Sequence, residues 1–207
     1  DEQQSDLLYL VDQNKKVLIE GAAGSGKTTL AYEKAVRLSE DNKRVLFLSF
    51  TEGLAKWIEA KIEDDNIKVS TVRRFASSLL IEAGKVKSAE NTSEYWDNVC
   101  IRAVDEALPI IKQKWDALII DEGQDFSDDE WLFVDELNKT CELFWVFYDP
   151  RQAFWKDRAL PDFLKEMVQC ALPKSYRCPE PITNLADAYL GNSINLDLIK
   201  IAQKKGV

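Results

Sequence analysis

Gly21, Gly26, Lys27 and Thr28 stand in the spacing G-x-x-x-x-G-K-[ST] within "GAAGSGKTTLA", residues 21–31. Glycines at such positions let the backbone wrap so that successive N–H groups point inward at phosphate. The lysine adds a point charge for β and γ oxygens, and the threonine offers a hydroxyl to Mg²⁺. Gly24, Ser25 and Thr29 belong to the same cradle. Strand-like "KKVLIE" precedes the loop and a helical segment follows it, which is the context this chemistry needs. The implied ligands are ATP and Mg²⁺.

A second cluster lies at "DALIIDEGQDF", residues 116–126. An apolar run long enough for one buried strand ends in Asp121 and Glu122, with Gln124 and Asp125 close behind. So much like charge at the end of a buried strand costs free energy unless a cation or donor lies opposite. Asp121 is expected to hold Mg²⁺, directly or through water, and Glu122 to orient an attacking water as general base. Asp128 and Asp129 read instead as a solvated turn ahead of a helix, with Ser127 and Glu130 spaced as a capping box.

These groups need a frame that brings two distant segments together. Apolar runs at Val17–Ile19, Val45–Leu48, Ile67–Val69, Ala117–Ile120 and Leu143–Phe147 alternate with helix-period stretches. Leu54, Trp57, Ile58, Lys61 and Ile62 carry one period; Val72, Phe75, Ala76, Leu79 and Leu80 carry another. Trp96, Val99, Cys100, Ala103, Val104 and Ala107 carry a third, ended by Pro109. Such alternation predicts an α/β fold, a parallel sheet with helices on both faces, in which ligands bind beyond the carboxyl ends of the strands.

Composition agrees with one α/β domain: 207 residues, 45% hydrophobic and 30% charged. No histidine occurs, so Ser-His and Cys-His catalysis and His-ligated metals are excluded within this chain. Cys100, Cys141, Cys170 and Cys178 form no CxxC pair or zinc spacing and read as reduced residues of a cytoplasmic protein. No membrane-length apolar run and no signal-peptide pattern is present. The net charge of −9 counts against a simple DNA-binding module, although a local basic groove is compatible with it.

The order and spacing of the motifs resemble the first RecA-like domain of superfamily 1 helicases, in the UvrD/Rep-like branch. "GAAGSGKTTLA" resembles motif I, "VLFLSFTEGLA" motif Ia, "VSTVRRFA" motif Ib and "IIDEGQDF" motif II. "VFYDPRQAFW" resembles motif III and "LPKSYRCPEPI" motif IV. The resemblance implies a P-loop NTPase with a RecA-like sheet and a small helical insertion, here residues 77–116, read as two helices. It implies that Gln152 senses the γ-phosphate and that Arg177 is an arginine finger. It implies that Tyr176 stacks on adenine and that Gln4 reads it, with Gln3 the competing candidate. Gln124 and Asp125 transmit or brace. For single-stranded nucleic acid, DNA more than RNA, it points to Phe50, Thr51, Thr71 and Phe75, with Trp155 as a further platform. Phe75 also shares a helical stripe with Val72 and Leu79, which is equally the pattern of a core residue.

The chain departs from the family pattern in places. Asp157 and Arg158 stand where an aromatic–Arg pair is usual, and Arg73 where motif Ib usually has histidine. Motifs V and VI do not follow, so a second RecA-like domain is expected to be missing from residues 1–207, and a fused nuclease or effector domain is compatible with this. The expected activity is ATP hydrolysis driving a helicase or translocase on single strands, weak in this domain alone. An ATP-gated regulatory or assembly module without unwinding is the alternative. A nucleotide kinase shares only the phosphate loop.

Overall fold

The computed structural model describes residues 14–112, 115–150 and 160–172. Five strands coincide with the predicted apolar runs: β1 (Lys16–Gly21), β2 (Val45–Ser49), β3 (Ile67–Thr71), β4 (Ala117–Asp121) and β5 (Leu143–Tyr148). A sixth, β6 (Val168–Leu172), was not expected. All pairings are parallel and the order is β3-β2-β4-β5-β1-β6. At the sheet edge, β6 pairs only with β1 and buries only Leu172, so "VQCAL" carries no continuous apolar signal. The two chemical segments end β1 and β4, and β5 lies between them.

Strand side chains alternate between two apolar layers, as the pleat requires. Leu18, Leu46, Leu118, Ile120, Phe144 and Val146 face α3 (Val72–Glu82), α4 (Ser93–Arg102) and α5 (Asp128–Asn138). Val17, Ile19, Phe47, Ile119, Trp145 and Phe147 face α1 (Lys27–Glu40) and α2 (Glu52–Glu59). The short α6 (Asp162–Lys165) adds Leu164 to the first layer. Each such large side chain, buried on folding, contributes about 1.5–3 kcal/mol relative to exposure. The expected parallel sheet with helices on both faces is what the chain forms. Among the described residues no helix is long and apolar enough to cross a membrane.

Helix starts follow from local chemistry. Thr51, Thr71 and Thr92 accept from the backbone N–H groups of Leu54, Arg74 and Tyr95 at 3.3, 3.3 and 3.2 Å. Ser127 opens α5 with the full predicted capping box: its hydroxyl accepts from Glu130 N, and Glu130 Oε2 accepts from Ser127 N at 2.7 Å. The helix expected to run to Pro109 changes pitch earlier. After Arg102 the chain widens into a π turn over Ala103–Ala107, where Leu108 N–H reaches Ala103 O at 2.9 Å. Pro109 has no N–H with which to continue the ladder. Residues 77–112 thus hold the end of α3, one helix and a π turn, rather than two full helices.

Candidate functional site

The carboxyl ends of β1, β5 and β4 form one rim. Gly21 closes β1, and a Cβ there would lie 2.4 Å from Ser25 Oγ and 3.1 Å from Leu172 Cβ, so any side chain would displace the Ser25 hydroxyl and press on β6. Gly24 and Gly26 take φ of 72° and 90°, conformations that glycine adopts without steric cost. Gly26 leads into α1 with no side-chain cap and no acid in the first turn, leaving the positive end of the helix for an anion. Lys27, 5% exposed, folds back over the loop. Its Nζ donates to Gly21 O at 2.8 Å and Ala22 O at 3.3 Å, and lies 3.8 Å from Asp149 Oδ2. Thr28 is half-buried and Thr29 exposed.

Asp121 ends β4 completely buried. Its Oδ1 accepts from Glu122 N at 3.2 Å, while Oδ2 has no hydrogen-bond partner among the described residues. Burial, then the neighbouring Glu122 charge, pushes its carboxyl up to about 7; the Thr28 hydroxyl and the Lys27 charge act in the opposite direction. The acid therefore shares one space with the lysine and hydroxyl of the loop. One strand separates β4 from β1, so their ends lie about 10 Å apart. That span suits a magnesium triphosphate. Mg²⁺ takes one or two protein oxygens beside phosphates and water rather than a full protein cage. Among the described residues no three acids or cysteines converge to form such a cage. A buried carboxylate oxygen without a partner, beside a hydroxyl and an amide-lined loop, fits the metal–nucleotide pair.

Glu122 sits at φ 58° and ψ 43°, in the left-handed region. For a residue without glycine's freedom this costs on the order of 1–3 kcal/mol and needs support from its surroundings. Gln124 supplies that support. Its Nε2 donates to Glu122 Oε2 at 2.6 Å and to Asp125 Oδ2 at 3.4 Å, and its Oε1 accepts from Asp149 N at 3.0 Å. A chain of polar contacts thus runs Glu122–Gln124–Asp149–Lys27, across the interposed strand. Gly123 fits beneath it because a Cβ would press to 3.2 Å on both Trp131 and Val146.

On the far side of β4, the ends of β2 and β3 border a cleft of about 420 Å³ lined by Phe50, Glu52, Thr71, Arg73, Trp96 and Glu130. Phe50 is half-buried, 6.4 Å from the Phe126 ring. Thr51 is exposed. Arg73 Nε donates to the buried Glu130 Oε1 at 2.8 Å, with Asp97 3.7 Å from its Nη1. Arg74 Nη1 meets Glu52 Oε2 at 3.0 Å.

A family model described as the type III restriction enzyme, res subunit (ResIII), matches residues 2–144. The chain belongs to the ResIII family. Among solved structures it is similar to Pif1 helicase from Candida albicans, with TM-score 0.61 and 17% identity over 99% of this chain and 47% of that one. It is also similar to a Bacteroides Pif1 bound to ssDNA, with TM-score 0.52 and 16% identity over 98% of this chain and 49% of that one. The ResIII chain thus spans about half the length of those structures. No curated protein matches it. Family and fold together make it a ResIII domain built on the RecA-like parallel sheet of P-loop NTPases.

Within this ResIII domain the structure brings Gly21, Gly24, Ser25, Gly26, Lys27, Thr28, Asp121 and Glu122 to one rim, with Thr29 exposed at the start of α1. One expectation is corrected: Phe75 is only 4% exposed and packs against Trp115 and Phe133, so its ring is not available for base stacking. Thr71 is nearly buried, and its hydroxyl both caps α3 and donates to Glu52 Oε1 at 3.3 Å. Gln4, Gln152, Trp155, Tyr176 and Arg177 lie outside the described residues. Sequence reasoning passed over Asp149. Its signal was the one that marked Asp121, an acid immediately after a buried strand.

Proposed function

We propose that this domain binds and hydrolyses ATP as one half of a helicase or translocase motor on single-stranded nucleic acid, DNA in preference to RNA. The UvrD/Rep-like branch is our reading of its motif spacing. The observation that carries the proposal is the buried Asp121 with its unpartnered Oδ2, in reach of Lys27 and Thr28. In this reading the loop amides and Lys27 bind the phosphates, and Thr28 and Asp121 hold Mg²⁺. When bound, the ion offsets charge that grows on the phosphate oxygens. Glu122, fixed by Gln124, accepts hydrogen bonds from the water and takes its proton as that water attacks. Gln152 couples the nucleotide to the strand, Arg177 spreads transition-state charge, and Tyr176 and Gln4 hold adenine. Phe50, Thr51, Thr71 and Trp155 contact the strand. A second RecA-like domain closes the cleft from the other side.

In the natural protein that carries this chain, Lys27→Ala and Glu122→Gln should each abolish oligo-dT-stimulated ATP hydrolysis. Turnover retained by either variant would refute the assignment. One observation favours the regulatory alternative: both arginines beside the β2–β3 cleft are engaged by carboxylates of the same chain. If oligo-dT fails to stimulate the wild-type ATPase even at low salt, an ATP-gated module that binds a protein is the better reading.

A further inference from the structure

Glu52 opens α2 at the mouth of the β2–β3 cleft, and its side chain is half exposed. Each of its oxygens has a donor: Oε1 accepts from the Thr71 hydroxyl at 3.3 Å, and Oε2 meets Arg74 Nη1 at 3.0 Å. Arg74 is oriented from behind by Ser70, whose hydroxyl accepts from Nε at 3.2 Å. Thr71 is fixed in turn, because its Oγ1 caps the backbone N–H of Arg74. A hydroxyl and a guanidinium fork set side by side, each meeting one oxygen of a single anion, is how proteins grip a backbone phosphate. In this chain the anion is internal.

We propose that Glu52 occupies the place of a strand phosphate, so that single-stranded nucleic acid binds the cleft by displacing its carboxylate from Thr71 and Arg74. This rests on the strand-binding reading above and gives it a mechanism of selection. The ligand class is a polyanion whose repeating unit presents two oxygens on one face, seated at the mouth of a cleft walled by Phe50 and Trp96. The carboxylate sets a threshold. Weak or isolated anions do not displace a tethered competitor, whereas a strand held at several points does. Glu59, 3.8 Å from Arg74 Nη2, gives the guanidinium a second acid that remains when Glu52 swings away.

The test is binding of fluorescein-labelled oligo-dT to the 207-residue chain and to Glu52→Ala, followed by anisotropy across a salt series. Glu52 is exposed at a helix start whose cap is Thr51, so removing it leaves the fold intact; matching thermal melts check this. Glu52→Ala should tighten binding about tenfold at low salt, a change of roughly 1.4 kcal/mol. It should also steepen the slope of log K against log salt by up to about 0.7, because no released carboxylate then remains to offset the charge of the seated phosphate. Adding Arg74→Ala to Glu52→Ala should cancel both gains. Measurable wild-type binding that Glu52→Ala leaves unchanged in affinity and slope overturns the displacement model alone. Absence of oligo-dT binding by both proteins overturns this model and the strand-binding reading together.

Discussion

Gln124 ties the acid cluster to the end of β5, because one amide serves a carboxylate with its nitrogen and a backbone N–H with its oxygen. If Glu122 is the general base proposed above, Gln124→Ala should lower kcat for ATP by about 10²-fold while KM changes little, since a misplaced base costs turnover rather than ground-state binding. Steady-state kinetics over an ATP titration check this, and an unchanged kcat would mean that Glu122 holds its pose unaided. Lys27, Thr28 and Asp121 could be singled out in the sequence because their spacing and setting are written in a few consecutive residues, and the strand ends do bring them to one rim. Asp149 and Glu52 were passed over: Asp149 offered the same acid-after-strand signal, but the partners of both come from other segments and appear only once strand order is known. Phe75 was ambiguous for a different reason. The stripe Val72–Phe75–Leu79 suits a core and a stacking platform alike, and Trp115 and Phe133 decide it for the core.

Five strands and the capping box of α5 were readable because continuous apolar runs and the Ser127–Glu130 pair are signals contained within the element. The edge strand β6 and the π turn were not: one buries little, and the other arises from the geometry of a helix meeting Pro109. The start of α5 lies directly behind the acidic cluster, and Glu130 there both completes the cap and holds Arg73. Ser127→Ala should accordingly destabilise the domain by about 1 kcal/mol. Urea unfolding should show a lower midpoint with an unchanged m-value; an unshifted midpoint would show that water replaces the hydroxyl without cost.

Taken whole, the molecule places its chemistry on one rim of the sheet and its mass below. A ligand that binds only the folded rim must stabilise all of it: ATP with Mg²⁺ at a hundredfold excess over Kd adds about 2.7 kcal/mol. A rise of several degrees in Tm is expected, reversed by EDTA and absent in Lys27→Ala. Equal shifts in wild type and Lys27→Ala would place the nucleotide elsewhere. With a net charge of −9, any attraction for a strand must be local, so the arginines beside the cleft weigh more than the average charge. Finally, β5 runs between the strand that carries the lysine loop and the strand that carries the acids. The breadth of the gap between loop and acids is therefore dictated from beneath, by how Phe144, Trp145, Val146 and Phe147 wedge between two layers of helices. Residues buried below the rim act as calipers for whatever the gap holds.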